Sequence, residues 1–581
     1  MGNNNSGRRF VPPDLDPSDF SQIEPLYATL LARRLDSAED LEQWLEQVSE
    51  LTAVVNEYGT RREIDYSRHT DAPELEKAYL HYLENIAPKI KPYFFRLQRQ
   101  YLDCGHANAL ADPKFGLLER DWKADVELYR DENVPLETEL GRLNKSYDKL
   151  CGAMLVNFQG QQYTLQQLAR LLEEPNRSTR DLVWQTMETR RAEDRDAIDD
   201  IFDKMLELRQ TIANNAGLDD YRQFIWRKLQ RFDYEPEDCH RFADTIEETC
   251  MPMVKQLNEQ RRMELQLDRL RPWDLAVDPK NQPPLRPFDA DNVAELVSGC
   301  QEIFRRLSPE LAQEFSRLQM GRNLDLESRK GKRPGGYQAS LAESKQPFIF
   351  MNAAGLHRDV ETLLHEGGHA FHYLWSCHEP VLFLQHAPME FCEVASMAME
   401  LMADQHLDVF YSPPEAARGA RLHLEGVIRL LPWIATIDQF QHWLYSHPGH
   451  SRTQRTEAWR QIRTRFADDA VDWSNLDAFH DGMWQRQLHL FHVPFYYIEY
   501  GIAQLGALQL WMRCRQNMGE ALADYRTALG LGGTRMLPDL FEAAGIRFDF
   551  SSQTLRPLID EVHAEFSRLA DEPDVQNSPT R

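Results

Sequence analysis

Apolar positions along this chain recur mostly at intervals of three and four residues, the period of an amphipathic helix. The segment "SAEDLEQWLEQVSELTAVVNEYG" shows the pattern well. Leu41, Trp44, Leu45, Val48, Leu51 and Val55 form one stripe, Ser37 with Asp40 reads as a capping box, and Gly59 reads as the stop. The same period recurs in "PELEKAYLHYLENIAPKIKPYFFRLQRQYL", "TLQQLARLLEEP" and "AIDDIFDKMLELRQTIANNAG". No fixed-period repeat is present, and low complexity is confined to the two tails.

Three interruptions organise the chain. "AGLDDYRQFIWRKLQRFDYEPED" is a polar connection between helical blocks, and "RLRPWDLAVDPKNQPPLRPFDADN" is too rich in proline for helix. In "KRPGGYQASLAESKQPFIFMNAAG", turn residues precede two short runs, "GYQASLA" and "PFIFMN", that predict a β-hairpin. It ends just before Asp359, a candidate cap for the next helix. The expected organisation is an N-terminal helical lobe over residues 1–215, a second lobe over 216–570 carrying the candidate chemistry, and a disordered tail over 571–581.

Composition narrows the class. With 581 residues, two or more cooperating lobes are expected, and 42% hydrophobic content excludes a largely disordered chain. The formal net charge of −26 disfavours nucleic acid or an anionic membrane as partner. Eight scattered cysteines without a CxxC pair predict reduced thiols, and neither a signal peptide nor a transmembrane run is visible. A cytoplasmic protein is expected. The opening "MGNNNS" fits a loose acylation pattern, but a floppy polar N-terminus is the better reading.

Candidate chemistry centres on "ETLLHEGGHAFH". On a helix, His365 and His369 project one turn apart from one face and can reach one ion, with Glu366 beside them as base for an activated water. In a chain rich in His and Glu such a motif also arises by chance, so a third ligand has to be found downstream. There, "HAPMEFCEVASMAMELMADQHL" reads as a second helix carrying Glu390, Glu393 and Glu400. Glu393 and Glu400, seven apart, share a face, and two carboxylates on an apolar helix predict one metal ligand and one hydrogen-bond partner of a ligating histidine. Glu390 reads as a solvated helix-start charge. His372 and Trp375 stand where a metzincin needs Gly and His, and His372 reads as a wall residue. The adjacent Gly367 and Gly368 predict close approach of another backbone, with the hairpin as the expected neighbour. Further on, "LHLFHVPFYYIEYGIAQLGALQLW" crowds His489, His492, Tyr496, Tyr497 and Tyr500 at a helix start, which taken alone reads as core.

"DVETLLHEGGHAFH" followed by "MEFCEVASMAMEL" resembles the zinc oligopeptidases of the thimet oligopeptidase and oligoendopeptidase F family, and is most similar to the branch of oligoendopeptidase F and Pz-peptidase. The resemblance covers residues 330–410 and 485–515 and is only architectural before them. It implies a mainly α, two-lobed helical ellipsoid enclosing a deep channel, with a small β-hairpin beside the HExxH helix. It implies one Zn²⁺ held by His365, His369 and Glu393, Glu366 as base, and Glu400 as a further carboxylate behind the ligands. It implies His489, Tyr497 and Tyr500 as donors to the tetrahedral intermediate, with His492 as the alternative histidine. Gly335, Gly336, Tyr337 and Tyr496 are the implied substrate-binding residues, the glycines on an edge strand that pairs with extended peptide. The implied activity is hydrolysis of internal bonds in short unstructured peptides. A peptidyl-dipeptidase or carboxypeptidase and an inactive peptide-binding protein are the alternatives, and cobalt or manganese could replace zinc.

Overall fold

In the computed structural model, which describes residues 8–329 and 331–570, helices follow one another along the chain and two small sheets interrupt them. The fold is mainly α, as expected. The "MGNNNS" stretch and the tail 571–581 lie outside the described residues. No helix among the described residues is long and apolar enough to cross a membrane.

The first long helix, Ala38–Arg68, starts where the capping signal places it, with the Ser37 hydroxyl accepting from the Asp40 N–H at 3.1 Å. It does not stop at Gly59. A Cβ there would lie 2.3 Å from Cζ of Tyr82, so the glycine lets an aromatic ring pack against the helix backbone. Tyr82 itself opens a π-helical turn, Tyr82–Ile86, between Pro73–His81 and Ala87–Asp103. Pro88 follows that turn and has no N–H to give, which favours a register change at this point.

Apolar residues gather in two main cores. A small one joins Trp44, Tyr101 and Trp122 to Val381 and Leu384. A large one runs from Leu128 to Phe566. The cores therefore part between Trp122 and Leu128, and residues 128–215 share their core with the helices that carry the HExxH motif. The small core reaches the motif region through Val381 and Leu384, which lie in the loop after the motif helix. The proline-rich stretch is irregular apart from the turn Pro272–Asp274. Its Asp274 is fully buried and held by Arg180 at 3.0 Å and Arg177 at 2.8 Å.

Five short strands form the sheets. β1 (Leu155–Phe158) and β2 (Gln161–Thr164) make an isolated hairpin that the periodicity did not predict. β3 (Leu324–Glu327), β4 (Tyr337–Leu341) and β5 (Gln346–Ala353) make a three-stranded sheet in the order β3-β5-β4. The expected hairpin is β4–β5, antiparallel with Tyr337 opposite Phe350. β3, parallel to β5, is an addition. The turn before β4 is fastened by Lys332, whose buried ammonium donates to Asp325 Oδ1 at 2.8 Å and to the carbonyls of Asp325, Glu327 and Met351. Arg68, at the end of the first long helix, reaches the same Asp325 carboxylate.

β5 turns through Gly355, at φ 79°, into the motif helix His357–Ser376. Asp359 sits in its first turn, not at the N-cap. Its carboxylate accepts from the backbone N–H groups of Ala354 at 2.7 Å and Leu356 at 2.8 Å, which sets the angle between sheet and helix.

Gly59→Ala should lower the thermal midpoint, because overlap with the Tyr82 ring outweighs the roughly 1 kcal/mol by which Ala is the better helix former. Differential scanning calorimetry checks this, and a raised midpoint contradicts the packing reading.

Candidate active site

Two helices build the centre. The motif helix presents His365 and His369, and the helix Met389–Ala403 presents Glu393 between them. Glu393 Oε2 lies 3.5 Å from Nε2 of each histidine, and the three donor atoms lie within 4.8 Å of one another. Gly368 makes this approach possible, since a Cβ would stand 2.6 Å from the Ala395 carbonyl and 2.7 Å from the Ser396 Cα. The close neighbour is thus the glutamate helix, not the hairpin. Gly367 faces the Phe304 ring instead.

A layer of hydrogen bonds behind the three donors aims them. The His365 Nδ1–H donates to Glu400 Oε1 at 2.6 Å, which turns the Nε2 edge of the ring toward Glu393. Glu400 also faces His423, which in turn bonds Asp404 at 2.7 Å. Glu393 accepts from the Tyr496 hydroxyl at 2.8 Å and from Ser396 Oγ at 3.1 Å. Two imidazole nitrogens and a carboxylate oxygen converging this way fit a zinc-type ion with one position left open.

Electrostatics agree with a site built for a cation. Burial disfavours ionised Glu393, yet the charges of His369 and His365 and the hydrogen bonds from His369 and Tyr496 hold its pKa at about 2. Glu400 is held at about 2 in the same way, against burial, by its bonds to His365 and His423. Burial also disfavours a charged His365, but Glu400, Glu393 and Glu366 together raise it to about 10. Glu366 is buried, and desolvation, against the two histidines, raises its pKa above the ordinary carboxylate range.

A cleft of about 410 Å³ opens over this centre. His365, Glu366, His369, Glu393, Tyr496 and Tyr500 line it together with Gly336, Tyr337, Gln338 and Ser340 of the hairpin. β4 is an edge of its sheet, so its outer backbone groups are open to pairing. Gly335 has φ 100° and its carbonyl accepts from Asn352 at 2.9 Å, which shapes the turn. Tyr337 stacks on Phe350 with ring centroids 4.8 Å apart. His372 is a wall residue of the cleft, buried, with burial lowering its pKa to about 3.

The aromatic cluster is sorted by the structure. His489 lies among the tyrosines, its ring centroid 5.9 Å from Tyr496, 4.9 Å from Tyr497 and 5.7 Å from Tyr500. Its Nδ1 accepts from the Gln487 amide at 2.7 Å, which leaves the proton on Nε2. Burial lowers its pKa to about 4, so the ring is neutral near pH 7. His492 points elsewhere, to Asp148 at 2.9 Å. Tyr497 faces Trp433 and Gln487, and among the described residues the tyrosines of this cluster that line the cleft are Tyr496 and Tyr500. Tyr496, expected as a substrate contact, lines the cleft and also donates to Glu393.

Glu390 is not a solvated charge. It is buried, accepts from the Tyr234 hydroxyl at 2.6 Å, and faces the Arg231 guanidinium at 3.6 Å. Arg231 also holds Glu499 at 2.6 Å and the Phe495 carbonyl at 2.6 Å. This arginine ties the glutamate helix to the start of the tyrosine helix, Tyr497–Gln516. Its place inside a polar connection gave no sequence signal for the role.

Removing the Glu400 carboxylate (Glu400→Ala) should weaken zinc binding about 10- to 100-fold, the usual effect of losing a ligand-orienting partner. Competition with a chromophoric chelator measures it, and an unchanged affinity contradicts the orienting role.

The sequence profile of peptidase family M3 matches residues 170–558. Among curated relatives, oligoendopeptidase F of Lactococcus lactis subsp. cremoris is 26% identical over 151 residues, 26% of this chain and 24% of that protein. An oligoendopeptidase F homolog of Borreliella burgdorferi is 21% identical over 259 residues, 42% of this chain and 43% of that protein. The matched segments thus span less than half of either relative. Among solved structures, Pz peptidase A with an inhibitor superposes with a TM-score of 0.89 at 25% identity, covering 97% of this chain and 99% of that one. A chain assigned as oligoendopeptidase F gives 0.88 at 26% identity, covering 98% and 99%. With the profile matching more than half of its length around a converging His-His-Glu centre, the chain belongs to peptidase family M3.

Proposed function

We propose that this chain is a cytoplasmic zinc-dependent oligopeptidase that hydrolyses internal bonds of short, unstructured peptides. The observation that carries the reading is the convergence of His365, His369 and Glu393 in a cleft that also contains Glu366 and the edge of β4. At such a donor set zinc supplies Lewis-acid polarisation of a carbonyl and acidification of a water.

The chain's own groups account for the rest. β4, whose Tyr337, Gln338 and Ser340 line the cleft, receives an extended peptide by strand pairing. Glu366, with its pKa raised by burial, takes the proton from the attacking water and passes it to the departing amine. Burial and nearby carboxylates keep the Tyr500 phenol protonated, so it donates to the oxyanion from the cleft wall. His489 offers its Nε2–H from the same cluster. Tyr496 holds Glu393 in place, and Tyr497 supports the rings of His489 and Tyr500.

Two observations weigh against the alternatives. A carboxypeptidase-like enzyme needs a cation for the free C-terminal carboxylate, and no Lys or Arg stands among the described residues lining the cleft. A decayed site loses a ligand or the base, and all four groups are in place. Eight free thiols support a reducing compartment.

Glu366→Gln should bind zinc and peptide as the parent does and lose turnover of a quenched fluorescent peptide. Turnover by this variant contradicts the base assignment. Tyr500→Phe should lower kcat by roughly 10²- to 10³-fold with little change in KM, and a change confined to KM contradicts an oxyanion role. Free and amidated C-termini should be cleaved equally well at internal bonds, and strict dependence on a free terminus would favour the dipeptidase reading.

A further inference from the structure

A second group of metal-binding side chains lies buried in the large core, apart from the His365–His369–Glu393 centre. Cys239 stands on the helix Pro236–Thr249, and Asp438 and His442, four apart, share one face of the long helix Pro413–Ser446. The thiol, one carboxylate oxygen and one imidazole nitrogen all lie within 4.8 Å of one another. Relative exposure is 1% for Cys239, 0% for Asp438 and 2% for His442, so solvent does not serve them.

Their polar atoms are short of partners. Neither ring nitrogen of His442 makes a hydrogen bond, although Nε2 is 3.3 Å from Asp438 Oδ2. Asp438 Oδ1 and the neighbouring Gln441 Nε2 are also without partners. The surroundings supply little, since the one amide that reaches the carboxylate is that of Gln439, which donates to Asp438 Oδ2 at 3.4 Å. Trp226 and Phe495 wall the group, with ring centroids 5.9 Å and 5.1 Å from that of His442, and the tilted ring of His240 lies at 4.7 Å with its Nδ1 already committed to Gln439. Among the described residues no Lys or Arg pairs with Asp438, and His442 is the basic group beside it. A fully buried carboxylate next to an unbonded imidazole calls for a cation, and thiolate, imidazole and carboxylate together are donors that suit a zinc-type ion.

We propose that Cys239, Asp438 and His442 bind a structural divalent transition-metal ion of the zinc type, with a solvent molecule as fourth ligand. Binding releases the thiol proton, so the ion takes a thiolate, a carboxylate and a neutral imidazole. The ion pins Pro236–Thr249 to Pro413–Ser446 beneath the loop that precedes Tyr496. Gln441 Oε1 already receives the Phe495 N–H there at 2.5 Å, and Phe495 holds φ 66°.

Cobalt distinguishes this site from the His365–His369–Glu393 centre, which has no sulfur. The parent, loaded with Co²⁺ and freed of excess, should hold two equivalents and show a near-ultraviolet thiolate-to-cobalt charge-transfer band. The double variant His365→Ala/His369→Ala leaves the cluster untouched and should keep one equivalent with the full band. Cys239→Ser should lose the band and one equivalent, with circular dichroism confirming that it is folded. One equivalent in the parent, together with no cobalt and no band in the double variant, would overturn the proposal and leave the cluster as buried polar packing. Peptide hydrolysis is not the readout, so this failure is separable from failure of the peptidase reading.

Discussion

A glutamate on one helix can reach between two histidines on another only if the two backbones nearly touch, and at Gly368 they do. The Ala395 carbonyl and the Ser396 Cα occupy the space that any side chain at 368 would need. That contact places Glu393 at 3.5 Å from both imidazoles, and much of the site depends on it. Once the helices are this close, five ionisable groups, His365, Glu366, His369, Glu393 and Glu400, share one small volume. Their charges are tolerable only as a network, which is why Glu400 is bonded to His365 and Tyr496 to Glu393.

The rest of the architecture serves that contact from three sides. β5 and Asp359 fix where the motif helix begins, and Lys332 fixes the turn that leads into β4. Arg231 clamps Glu390 of the glutamate helix to Glu499 of the tyrosine helix from within the core. The small N-terminal core reaches the loop between the two site helices through Val381 and Leu384. Surface ion pairs are plentiful but add little each, so apolar packing and buried networks carry the positioning.

What was legible in the sequence was local. HExxH puts two imidazoles on one face by helical geometry alone, and the seven-residue spacing of Glu393 and Glu400 does the same for the carboxylates. The β4–β5 hairpin was legible from its turn residues and the two short runs that follow them. What was hidden depends on partners distant in sequence. Gly59 has the signature of a helix stop until Tyr82 is seen against it, and Glu390 looks solvated until Arg231 and Tyr234 arrive from 156 residues away or more. The split between Tyr496 and Tyr497, adjacent residues with opposite surroundings, follows from how the helix start is rotated and not from residue type. Cys239 and His442 look like ordinary core residues until the fold brings them together.

One ion shared by two helices is the central claim. Crystals grown with zinc, with anomalous data collected on both sides of the zinc absorption edge, test it directly. The expected result is an anomalous peak bonded to His365 Nε2, His369 Nε2 and a Glu393 carboxylate oxygen, with His365 Nδ1 still on Glu400. A fully loaded crystal with no peak at that position would contradict it.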